Sequence, residues 1–152
     1  ATPASDVASK ADVDAAAGGG VQYMGLSSPP QTGDLGGVPG ANEKCNSLFM
    51  GSHFCTTADI IRTSTTTLEE GWVFYTIPVF YKDNKFVALK ENYEPNSILS
   101  RARKSNTCNG WTAGGAYYVL GGQKYLNYGT VIGGSAQHAV ECTSLRGIHC
   151  CK

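Results

Sequence analysis

The adjacent pair Cys150-Cys151 constrains this chain more than any other feature of its 152 residues. Neighbouring side chains on a strand point to opposite faces. A terminal strand carrying two cysteines therefore reaches two different partners, one on each side. Cys45, Cys55, Cys108 and Cys142 complete an even set of six. No C-x-x-C pair occurs, so the spacings of thioredoxin-like redox sites and zinc ribbons are missing. His149, Cys150 and Cys151 set three candidate ligands side by side, but strand alternation disfavours one shared tetrahedral ion. Six cysteines in a Gly-, Ser-, Thr- and Tyr-rich chain indicate a disulfide framework and an oxidising, extracellular or cell-surface location. They allow 15 connectivities, and spacing alone does not choose among them.

Charge narrows the partners. Twelve basic residues balance twelve acidic ones, and charged residues make up only 16%, against about 25% in ordinary soluble domains. Nucleic-acid binding needs a surplus of Lys and Arg, so it is not expected. With a mean hydropathy of -0.18 and no apolar run near the ~20 residues of a membrane span, membrane insertion is not expected either.

Residues 1–20 differ from the rest. They hold no aromatic residue and no cysteine, and Val7 and Val13 are their only large apolar side chains. They lack the n- and h-regions of a signal peptide. Ser5 or Asp6 can cap a short helix through Ala17, ended by Gly18-Gly19-Gly20. Such a helix needs copies of itself or a neighbour to pack on; a disordered tail is the alternative. Residues 21–152 read as one α+β domain. Leu26–Gly40 is dense in turn formers. Ala41–Phe49 has helical spacing, and a second helix opens at Thr56-Thr57, with Asp59 in its positive first turn. Residues 71–81 are the strongest strand signal, interrupted by Pro78, and Lys82-Asp83-Asn84 turns the chain into Lys85–Lys90. Tyr117–Leu120, Tyr125–Ile132 and Ala139–Cys150 are further short strands, while Glu91–Gly115 is expected to be a long loop held by Cys108.

Several runs carry a resemblance. GDLGGVPGANEKCNS (33–47), GSHFCTTADI (51–60), GWVFY (71–75), CNGW (108–111) and the closing ECTSLRGIHCCK are similar to a family of secreted bacterial cysteine-rich domains. Those domains resemble the C-type-lectin-like superfold, with endostatin a distant cousin. The resemblance implies a disulfide-stapled head with two short helices and a small, mostly antiparallel sheet. It also implies a pairing: first-helix Cys45 to the terminal pair, Cys108 to Cys142, and Cys55 to the remaining cysteine. At the other end, SKADVDA (9–15) resembles the stalk repeats of phage tail fibres and related trimeric bacterial fibres. Residues 1–20 are then a stalk remnant. The whole is similar to the fibre-tip adhesins of predatory bacteria, which implies a homotrimer gripping a cell surface.

Catalytic patterns are weak. His53, His138 and His149 are the only histidines, no G-x-S-x-G elbow is present, and Gly133-Gly134-Ser135 before His138 reads as a turn. Glu69-Glu70 reads as a solvated turn, and no enzyme is expected. Glu94-Pro95-Asn96 reproduces the EPN tripeptide of calcium-dependent lectins, whose oxygens suit Ca²⁺. The W-N-D partner expected before Cys142 is missing, so EPN reads as a turn and calcium at Glu94 and Asn96 as the alternative; no other cofactor is expected. A metal-free surface is the main expectation. Tyr93, Tyr117, Tyr118, Tyr125 and Tyr128 supply aromatic faces for sugar or protein contacts. Asn96 and Asn109, with Asn92 and Asn106, supply amides, and Arg101 in the basic run RARK suits an anionic polysaccharide. Trp111, beside Cys108, is expected in the core.

Overall fold

The computed structural model describes residues 7–8, 21–63, 68–89, 106–134 and 136–152. Its eleven described strands are β1 (Val7–Ala8), β2 (Tyr23–Leu26), β3 (His53–Phe54), β4 (Gly71–Trp72), β5 (Val79–Lys82), β6 (Lys85–Leu89), β7 (Tyr117–Leu120), β8 (Gln123–Leu126), β9 (Tyr128–Gly133), β10 (Ala136–Glu141) and β11 (Gly147–Cys151). The helices are α1 (Gly37–Leu48), α2 (Thr57–Arg62) and a single turn, α3 (Cys108–Trp111). The class is mixed α and β, with strand residues outnumbering helical ones.

The last strand organises the rest. β11 pairs antiparallel with β2 along one stretch, and with β4 (parallel) and β3 (antiparallel) in succession. β9 and β10 extend the sheet beyond β4, giving the order β10-β9-β4-β11-β2 with β3 also on β11. All five residues of β11 are buried. A strand buried on both faces must serve two cores, and this one does. Ile148 and Cys150 enter a core with Trp72, Val131, Phe54, Trp111 and α1 residues Ala41 and Cys45. Cys151 enters another with Ile60 and Ile61 of α2, Val73, Val79 and Ile132. Trp72/Val73 and Val131/Ile132 split between the same two cores, as period-2 alternation requires.

The cysteines follow suit. Cys45 bonds Cys150, Cys55 bonds Cys151, and Cys108 bonds Cys142, with Cα separations of 5.5, 5.1 and 5.7 Å. No cysteine is free. This is the pairing the resemblance implied. The terminal pair ties β11 to α1 on one face and to the segment ahead of α2 on the other.

Local signals explain the elements. Thr56 caps α2, its side chain accepting from the Asp59 amide at 3.0 Å while Asp59 accepts from the Thr56 amide at 3.0 Å. Asp83 and Asn84 turn the β5–β6 hairpin with φ of 54° and 62°, the paired positive values of a tight hairpin turn that Asp and Asn tolerate. Pro78 does break the 71–81 run, leaving β4 and β5 in different sheets. Likewise Asn127 interrupts the expected strand Tyr125–Ile132.

Three expectations need correction. α1 starts at Gly37, four residues before Ala41, because Pro39 falls in the first turn, where a missing N–H costs nothing. Val7–Ala8, inside the expected stalk helix, is a strand antiparallel to Ala88–Leu89, joining β6 and β5 in a second sheet; the other residues of that helix lie outside the described ones. Glu70 is no freely solvated turn residue: its Oε2 accepts from Arg146 Nε at 2.7 Å and its Oε1 meets His138 Nε2 at 2.8 Å. Trp111 is fully buried, as expected, edge-on to Trp72 at 5.5 Å. No helix among the described residues is long and apolar enough to cross a membrane.

Close packing around Cys108 gives a stability test. A Cβ on Gly129 would lie 2.6 Å from Cys108 Sγ and 2.7 Å from the Trp72 ring. Cystine and indole are both fully buried and have no room to give. Gly129→Ala is expected to cost about 1–3 kcal/mol by overpacking; an unshifted thermal midpoint would show the site to be looser than this.

Candidate functional site

The expected ligand residues that lie among the described ones gather at one end of the molecule, around the β7–β8 hairpin. The sequence builds it plainly: YYVL and QKYL flank Gly121-Gly122, whose φ of 60° and 79° form the two-residue turn that matches strand twist. Pairing runs Tyr117 to Leu126, Tyr118 to Tyr125, Val119 to Lys124 and Leu120 to Gln123. No other described strand joins this sheet, and every one of its eight residues is exposed. At the base, buried Asn127 fastens it: its amide N–H donates to Ala116 O at 3.0 Å, and its Nδ2 donates to Gly115 O at 3.2 Å.

Opposed residues share a face. On one, Tyr118 and Tyr125 stack at 5.4 Å with rings 23° apart, and the Tyr125 hydroxyl donates to Gln123 Oε1 at 2.8 Å. On the other, Lys124 Nζ lies 5.7 Å from the Tyr117 ring centre.

Beside the hairpin base sits α3, a turn of unusual backbone. Cys108, Asn109, Gly110 and Trp111 all have positive φ, between 49° and 71°. Left-handed backbone costs L-residues about 1–2 kcal/mol each, so the surroundings must hold it. Cys108 is pinned by its disulfide, Trp111 by the core, and the Gly110 amide donates to Thr107 Oγ1 at 3.1 Å. With both flanks anchored inward, Asn109 is turned out to solvent. It lines a groove of about 230 Å³ with Thr107, Tyr118, Leu126, Asn127 and Tyr128.

Asn109, Tyr118 and Tyr128 thus share one groove, Tyr125 stacks on its rim residue Tyr118, and Tyr117 faces the other way. Tyr93, Asn96 and Arg101 lie outside the described residues, as does Glu94 of the calcium alternative. Thr107, Leu126 and Asn127 were not anticipated, although the Gly-Gly turn between two aromatic runs marked the hairpin they adjoin. A larger depression of about 600 Å³ lies against α1, lined by Ser27, Gln31, Glu43 and Lys44 and by no aromatic residue. It offers no ring to stack on a ligand.

The histidines are engaged elsewhere. His53 Nε2 lies 2.8 Å from Asp59 Oδ2. Burial pushes the Asp59 carboxyl up, but the Thr56 amide, His53 and Arg62 together hold it below its ordinary value. His149 is fully buried; its Nε2–H donates to Ile132 O at 2.7 Å, and its Nδ1 accepts from the Tyr23 hydroxyl at 2.7 Å. Among the described residues no three His, Cys, Asp or Glu side chains are grouped to hold a metal ion. No known protein family, curated protein or solved structure matches this chain.

Proposed function

We propose that this is the C-type-lectin-like tip of a homotrimeric extracellular fibre, binding a cell-surface glycan or envelope component without catalysis. One observation carries the reading: Asn109, Tyr118 and Tyr128 converge on an open groove beside an exposed aromatic hairpin. Aromatic faces stack on the apolar face of a sugar ring, and amide groups take up its hydroxyls. The pairing of all six cysteines is compatible with an oxidising exterior. The lectin-like and fibre assignments rest on the sequence resemblances, and the stalk-like residues 9–15 supply the argument for three copies.

A glycan array with and without EDTA tests this directly. The chain is expected to bind at least one glycan, and Tyr118→Ala and Asn109→Gly, which keeps the left-handed backbone unstrained, each to weaken it about tenfold, with melting unchanged. Sedimentation should give about three times 16.0 kDa. A silent array, or binding indifferent to both substitutions, would overturn the reading. If the substitutions instead dissolve the trimer, the hairpin is a trimerising cap with no ligand of its own.

A further inference from the structure

The far end of the hairpin asks for a different partner. Val119 and Leu120, next to the turn, are 67% and 66% exposed, more than any of the tyrosines at the base. Register puts Val119 on one face and Leu120 on the other. Docking one face onto a protein or sugar would leave the opposite aliphatic residue in water. Immersion in an apolar phase covers both at once.

The polar groups are graded to match. Tyrosines sit on both faces further from the turn, where a membrane interface favours them. Lys124 stands beside Val119, yet its ammonium group is drawn back over Tyr117, away from the turn. That is the direction in which a lysine stem lies along apolar surface while its charge stays wet. Gln123, nearest the turn, already has its carbonyl oxygen occupied by the Tyr125 hydroxyl.

Charge points to one kind of bilayer. The hairpin residues 117–126 contain no Asp or Glu and carry Lys124. We infer that the Val119–Lys124 tip seats in the headgroup layer of an anionic lipid surface, beside whatever the groove holds. This rests on the reading of the hairpin end as the surface that meets a cell. Contact at headgroup depth needs exposed aliphatics at a turn and no spanning segment.

The test mixes the 152-residue protein with phosphatidylcholine vesicles, with and without phosphatidylglycerol, and measures co-sedimentation. Wild type is expected to prefer the anionic vesicles. Val119→Ser with Leu120→Ser should reduce binding at least about tenfold, and Lys124→Gln should reduce it about fivefold and remove the anionic preference. Melting should be unaltered, because these side chains are solvent-exposed. Wild type that ignores both vesicles overturns the inference, as does a double variant that binds like wild type. A double variant that changes only the sedimenting mass makes the tip a contact between copies and also overturns it. Tip substitutions should leave the glycan array unchanged and groove substitutions should leave vesicle binding unchanged, so the two readings fail separately.

Discussion

Removing the Cys45–Cys150 disulfide with paired alanines is expected to destabilise the domain by about 4–5 kcal/mol. The cystine joins residues 105 apart in sequence, and in the chain-entropy account the cost grows with the logarithm of that loop. Domains of this size are stable by only about 5–15 kcal/mol, so most of the margin would go. The bond also fastens α1 onto the sheet, so its loss opens the core that Trp72 and Trp111 fill. Guanidinium unfolding should show a much lower midpoint, with a shallow or absent transition near physiological temperature. Alanines at Cys108 and Cys142, whose loop spans only 34 residues, should cost about 1 kcal/mol less by the same logarithm. An undiminished midpoint for the first variant would refute this prediction.

Acid should weaken the domain in a defined window. His149 lies on β11 with both ring nitrogens hydrogen-bonded, and burial pulls its pKa from 6.5 down to about 4, despite the Ile132 carbonyl acting the other way. The folded state therefore refuses a proton that the unfolded chain accepts. Stability from this residue is complete above pH 6.5, falls as pH drops towards 4, and levels off below. A displacement of that size corresponds to about 3 kcal/mol. Asp59, also held below its ordinary 3.8, loses its contribution only at more acid pH, so the two steps are separable. Denaturant titrations between pH 7 and 4, with imidazole NMR shifts, check this. A His149 ring that titrates near 6.5 in the folded protein would sink the prediction.

What the sequence disclosed follows from how local each rule is. Strand alternation is strict, so Cys150-Cys151 declared its two-sided role without any knowledge of the partners. Thr56 with Asp59, and Asp83-Asn84, act through bonds or torsions within a few residues and were equally plain. Glu70 meeting His138 and Arg146 was invisible, because those partners lie 68 and 76 positions away. The start of α1 was misjudged since Gly and Pro, which usually signal loops, are also tolerated in a first helical turn. The hairpin shows the deepest gap. YYVL and QKYL have the composition of core strands, and only the absence of a neighbouring described strand turns them into surface. Asn109 was named for its amide, but the left-handed turn that displays it arises from a disulfide and an indole anchored elsewhere.

The position of β11 has a consequence for how the domain is made. The strand between β4 and β2, serving both cores and two of the three staples, follows every other described element in the sequence. Neither core can close until it arrives, and its contacts are all distant in sequence, which makes for slow folding. Without it Cys45 and Cys55 lack their partners, and the place between β4 and β2 is unfilled. Both cores and both staples therefore close together, in one late step of folding.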